Sequence, residues 1–109
     1  MAEAYELTAT EGLKKIEAGN LTAEAWMGSC LERISDREEK VLAWEHIDRE
    51  GALDKARKVD KLGAASLAAG VPFGAKDIID THDMPTSYGS QIHEGFQPGR
   101  DAGCVAITR

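Results

Sequence analysis

The sequence is short of the residues that mark metal or disulfide scaffolds. Its two cysteines, Cys30 and Cys104, lie far apart, with no Cys-x-x-Cys pair and no histidine at ligand spacing. That pattern excludes a zinc framework and a disulfide-knit fold. It leaves Cys30 as an expected buried free thiol in a reducing compartment. No apolar run approaches membrane-spanning length. The opening residues, Met1 to Glu6, lack both a basic start and an apolar stretch, so no signal peptide is expected and the default location is cytoplasmic. Basic excess is missing too. A net charge of −6 argues against a nucleic-acid surface or an anionic membrane as partner. There is no internal repeat, no low-complexity tract, no Gly-x-Gly-x-x-Gly, no phosphate loop and no His-Glu-x-x-His.

What the chain does contain is ordinary for one globular domain: 109 residues, 42% hydrophobic and 29% charged. A domain of that length can bury roughly two-thirds of its unfolded surface. Thr8 and Glu11 fit a capping box, followed by Leu13 and Ile16 and stopped at Gly19-Asn20. Thr22 caps a second helix, with Leu21 and Trp26 placed as a hydrophobic staple. Ala23, Trp26, Met27, Cys30, Leu31 and Ile34 form its apolar stripe. Residues 41–47 alternate imperfectly and read as a short strand. Asp48 then caps a third helix, with Ala52, Leu53, Ala56, Val59 and Leu62 on its buried side and an Asp54–Lys58 pair on its exposed side. The charges at 54–61 read as a solvated face. His46 reads as a solvated or hydrogen-bonded histidine.

From residue 70 the character changes. Six of the eleven glycines and all three prolines lie between Gly70 and Gly103, which marks tight turns and close backbone approaches. Residues 84–90 and 95–100 read as shaped loops. Asp101 is placed to cap a last helix over 102–109, which lacks a stop signal and suggests a longer polypeptide. Between these loops and the helices lies the most apolar run, Val71 to Asp80. On a two-residue period Val71, Phe73 and Ala75 share one face, with Gly74 and Lys76 on the other. A desolvated lysine at such a place is costly unless it has a task or a partner. One reading makes Lys76 a proton-transfer group. The simpler one places it on an edge strand, reaching water and pairing with Asp77 or Asp80.

Gly70-Val71-Pro72-Phe73-Gly74-Ala75-Lys76-Asp77 resembles the opening strand of the amidase signature family, which shows Gly-(Ile/Val)-Pro-x-x-x-Lys-Asp there. The similarity continues in Pro85-Thr86-Ser87-Tyr88-Gly89-Ser90, in Pro98-Gly99-Arg100-Asp101-Ala102 and upstream in Leu21-Thr22-Ala23-Glu24. It runs from about residue 7 to the last residue.

The resemblance implies an α/β fold, of which this chain would hold the N-terminal helices and the first strand or strands of a mixed sheet, incomplete. The expected layout over 1–109 is helical to 69, strand and Gly/Pro-rich loops over 70–100, and the start of a helix over 101–109. It also implies hydrolysis of carboxamides by a Ser–cis-Ser–Lys triad, with Lys76 as the catalytic lysine and no cofactor or metal. Members include small-molecule amidases and the amidase component of a tRNA-dependent amidotransferase. The Gly/Ser-rich signature that supplies both serines is not in this sequence. Ser29 and Ser35 fall on or beside a packing helix and Ser66 in a connection; Ser87 and Ser90, the serines nearest Lys76, read as turn hydroxyls, with a new nucleophile at either as the lesser alternative.

The expectation is therefore an amidase-type chain carrying only the lysine and inactive alone. Its partners would be a small-molecule amide and the remainder of the amidase domain or a partner chain. The alternatives are a short non-catalytic interaction protein derived from an amidase, or a truncated product.

Overall fold

The computed structural model describes residues 3–63 and 69–109. Ser66 lies outside the described residues. Four α-helices are present among them: α1 (Ala9–Glu17), α2 (Ala23–Val41), α3 (Arg49–Leu62) and α4 (Gly103–Thr108). Single 3-10 turns occur at Ala4–Glu6 and Gln91–His93. The chain divides into two compact units, one of residues 1–44 and 48–72, the other of residues 45–47 and 73–109.

The first unit is built from helix faces. Thr8 accepts the Glu11 amide while the Glu11 carboxylate returns to the Thr8 amide, the reciprocal box expected from the sequence. This bonding from Thr8 holds the Glu11 carboxyl below the usual glutamate range. Thr22 caps α2 through the Ala25 amide at 3.0 Å. Ala23, Trp26 and Leu31 of α2 are buried, as is Ala56 of α3, and α2 packs against α3. The Trp26 ring lies across Gly12 of α1. A Cβ built on Gly12 would come within 1.9 Å of that ring, so only glycine fits.

Polar contacts finish the arrangement. Asp60 of α3 accepts the Ala23 and Glu24 amides, at 2.7 and 3.0 Å. It thereby satisfies donors that the start of α2 leaves unpaired. Arg49 reaches back to the Leu31 carbonyl and the Ser35 hydroxyl, and Ser29 accepts the Tyr5 amide. These two serines are packing hydroxyls. Burial pushes the Cys30 thiol upward, away from the reactive thiolate. Leu62, expected on the buried side of α3, is 84% exposed.

Two sequence expectations are corrected. No strand occurs among the described residues, so the α/β class with the first strands of a mixed sheet is not what this chain forms; the described elements are all helical. A strand needs a second backbone to share its ladder. At 71–79 no such ladder is present among the described residues, and the Ile79 amide turns back to the Lys76 carbonyl at 2.9 Å. Neither is there a core face at this point, for Phe73 and Ile78 are 50% and 59% exposed.

The expected strand over 41–47 fails for another reason. Helix α2 continues through Val41, and Leu42 then takes a left-handed conformation with φ of 50°. The Trp44 amide folds back onto the Glu38 carboxylate at 2.8 Å. Helix α3 begins where Asp48 predicts, with the Gly51 amide on its side chain. No described helix is long and apolar enough to cross a membrane.

Candidate functional site

The second unit contains few regular elements and is organised by side chains that bond to backbone. Asp77 stands at its centre. One carboxylate oxygen accepts the Ser87 amide at 2.8 Å; the other accepts the Ser87 hydroxyl and the Gly89 amide, the latter at 3.3 Å. The Asp77 carbonyl accepts the Tyr88 amide at 2.9 Å. Donation from Ser87 holds the Asp77 carboxyl below its usual range, aided by Gly89 and the nearby Lys76 charge.

These contacts close a loop in which Tyr88 and Gly89 both have positive φ, 55° and 69°. A tyrosine in that region needs support from its surroundings. It receives it: the Tyr88 hydroxyl donates to Asp80, and its ring meets His93 edge-on at 5.4 Å and Phe96 at 6.2 Å. Donation to Asp80 pushes the Tyr88 phenol upward. Beneath the loop, Thr86 is buried and its amide bonds to the Phe96 carbonyl at 2.8 Å.

The second bracket is Asp101. It does not cap α4, whose N-cap residue, Ala102, makes no side-chain cap. Its carboxylate instead accepts the His82 amide at 2.8 Å, lies 3.0 Å from His82 Nδ1 and pairs with Arg109 at 2.9 Å. The His82 amide is the chief reason its carboxyl is held low. Arg109 also pairs with both oxygens of Asp83, which pushes its guanidinium further upward. The ligand atoms of His82, Asp83 and Asp101 lie within 4.8 Å of one another, close enough to suggest a cation site. Arg109 already supplies positive charge to both carboxylates, so the cluster works as an ion-pair lock on the end of α4.

Lys76 directly precedes the first of these brackets. Its side chain is exposed, and its ammonium makes no hydrogen bond or ion pair among the described residues. It therefore neither joins a serine nor pairs with Asp77 or Asp80. Ser87 gives its hydroxyl to Asp77, and Ser90 accepts the Ile92 amide at 3.3 Å. Both are turn hydroxyls. A depressed carboxylate is a weak base for activating a serine, and no lysine stands behind Ser87 among the described residues. Next to Lys76 in sequence, Phe73, Ala75 and Ile79 line an open depression of about 170 Å³ with Cys104 and Val105.

Sequence reasoning singled out Lys76, which the structure leaves exposed and unpaired, and missed Asp77 and Asp101 as organisers. The signal was present in the pairing of Lys-Asp with Pro-Thr-Ser-Tyr-Gly: a carboxylate beside a loop rich in residues that tolerate positive φ.

The family model described as Amidase matches residues 26–109, which include Lys76, Asp77 and the 86–90 loop. The A-type chain of the glutamyl-tRNA(Gln) amidotransferase of Streptomyces coelicolor is 46% identical over 109 residues, covering 94% of this chain and 21% of that protein. Its counterpart in Streptomyces avermitilis is 47% identical over 103 residues, with 88% and 20% covered. That of Desulfotalea psychrophila is 36% identical over 97 residues, with 86% and 20% covered. The chain thus spans about a fifth of the length of these relatives. No solved structure matches it significantly. With more than half of its residues matched by one family model, this chain belongs to the amidase family.

Proposed function

We propose that this chain supplies the lysine of an amidase-type hydrolase acting on carboxamide C–N bonds through a Ser–cis-Ser–Lys relay. The observation that carries the reading is the family match across Lys76, the Lys-Asp pair and the loop that Asp77 holds. Lys76 is the proposed base. Its amine takes a proton that passes through a bridging serine from the nucleophilic serine, and later returns it toward the leaving nitrogen. An amine acts as a base near neutral pH when it is desolvated. Exposed as it is here, Lys76 has neither that shielding nor a serine partner, so the chain alone is expected to be inactive.

Shielding and both serines would come from further polypeptide, either the remainder of an amidase domain or a partner chain. The relatives are named as subunits of a glutamyl-tRNA(Gln) amidotransferase, which makes an amide donor handled within a multi-subunit assembly the substrate setting to test first. The chain's own net charge of −6 speaks against direct tRNA contact by these residues. A non-catalytic interaction protein built on the same segment is the second reading, favoured by the unpaired Lys76 amine.

The decisive experiment joins residues 1–109 to a Gly/Ser-rich segment of the family and measures amide turnover. Lys76→Ala is expected to abolish turnover while leaving the fold and ligand binding intact. Turnover at the unmutated rate would end the assignment.

A further inference from the structure

We propose that Asp77 is the positioning residue for Lys76, bolting the backbone that carries the lysine onto the 86–90 loop. The inference rests on the reading of Lys76 as the amidase base. It begins with the number of bonds one residue makes: Asp77 takes the Ser87 amide, the Ser87 hydroxyl and the Gly89 amide on its side chain, and the Tyr88 amide on its carbonyl. Three consecutive loop residues are therefore fixed to the position directly after Lys76. On the same, C-terminal side, the Ile79 amide bonds to the Lys76 carbonyl at 2.9 Å. Lys76 is thus held at its own carbonyl and at the next residue, while its amine is left uncommitted.

Two other roles for Asp77 fit less well. As counter-ion to Lys76 it would need a carboxylate oxygen turned to the ammonium, yet no such ion pair is present among the described residues and both oxygens already serve the loop. As a base it would need a higher proton affinity than a carboxylate receiving three donors can have. Positioning uses every contact it makes. A base displaced by an ångström loses most of its rate advantage, so a lysine on a loop-rich unit needs such an anchor.

The test has a structural arm and a kinetic arm. In the 109-residue chain, Asp77→Asn replaces one acceptor oxygen by a donor. Amide exchange at Ser87, Gly89 and Ile79 should quicken by about tenfold or more, with the amides of α2 and α3 unchanged. Unaltered protection at Ser87 and Gly89 would overturn the proposal. If Asp77→Asn unfolds the unit, Ser87→Ala, which removes only the hydroxyl donor, is read in the same way.

In a full-length amidase carrying this segment, Asp77→Asn should lower kcat roughly 10- to 100-fold with KM little changed, and Asp77→Glu should recover part of the loss. An unchanged kcat, or a loss confined to KM, overturns the proposal. Lys76→Ala in the same protein separates the two failures. Turnover surviving Lys76→Ala sinks the base assignment, whereas full kcat in Asp77→Asn with none in Lys76→Ala sinks positioning alone.

Discussion

In residues 8–62 the stabilising contacts run between helix faces: Trp26 lies over Gly12, Ala56 of α3 is buried, and Asp60 closes the start of α2. In residues 73–109 the buried hydrophobic among the described residues is Val105, and two aspartates hold loops by their backbone amides. The first region draws on apolar burial, which depends on area and is tolerant of pH. The second draws on charge-assisted hydrogen bonds, which are directional and need ionised carboxylates. The difference suits the role proposed for Lys76, since a loop carrying a base would need fixed direction more than depth.

The largest expected effect tests the helical side. Trp26→Ala removes a large buried ring from the first unit. It should cost about 3–5 kcal/mol in chemical unfolding, a large share of a domain's ordinary stability. Exchange protection at Ser87 and Gly89 should survive the substitution. Loss of protection in both places would show that one cooperative core serves the whole chain, and would break the comparison.

Acid tests the loop side. Asp77 and Asp101 have carboxyls held below the ordinary aspartate value, by Ser87 and by His82. A group whose folded pKa is depressed contributes stability that is present above its unfolded pKa and lost as pH falls through the folded one. Protection of the Ser87, Gly89 and His82 amides should therefore fade as pH drops below about 3.9, before the interior amides of α2 and α3 respond. Glu11, also held low, adds fraying of α1 in the same window. Exchange measured over a pH series decides it: a single shared midpoint for the loops and for α2 and α3 would refute the separation.

How much of this was legible follows the same divide. Capping boxes and 3.6-residue periodicity are local signals, so Thr8, Thr22 and Asp48 mark helix starts where the structure has them. The apolar alternation around Lys76 misled, because alternation describes a strand only where a partner ladder exists, and partners are not local. Asp101 misled as well. An aspartate before a helix suggests a cap, but the His82 amide, far away in sequence, offered a better-placed donor. Asp60 looked like one more solvated charge and turned out to cap a helix to which it does not belong. The reading of Lys76 as a base rests on its resemblance to a family motif, since nothing in its exposed side chain distinguishes it.

The smallest expected effect concerns the charges on the helical unit, and it sharpens the contrast by showing which ion pairs do not matter. Arg57 bridges Glu24 and Asp54, at 2.7 and 2.9 Å, taking the partner that spacing had assigned to Lys58. The geometry is good, and the Glu24 hydrogen bond pushes the guanidinium upward. Its side chain is nonetheless 39% exposed and its partners more so, so water and salt compete for every contact. Ordering three flexible side chains also carries an entropic cost that offsets the attraction. Arg57→Ala should leave the thermal midpoint within the scatter of replicate scans, at low and at high salt. A clear drop at low salt that vanishes at high salt would mean that this network, and not only Trp26 and its neighbours, holds α2 to α3; electrostatics would then govern both units, not the loops alone.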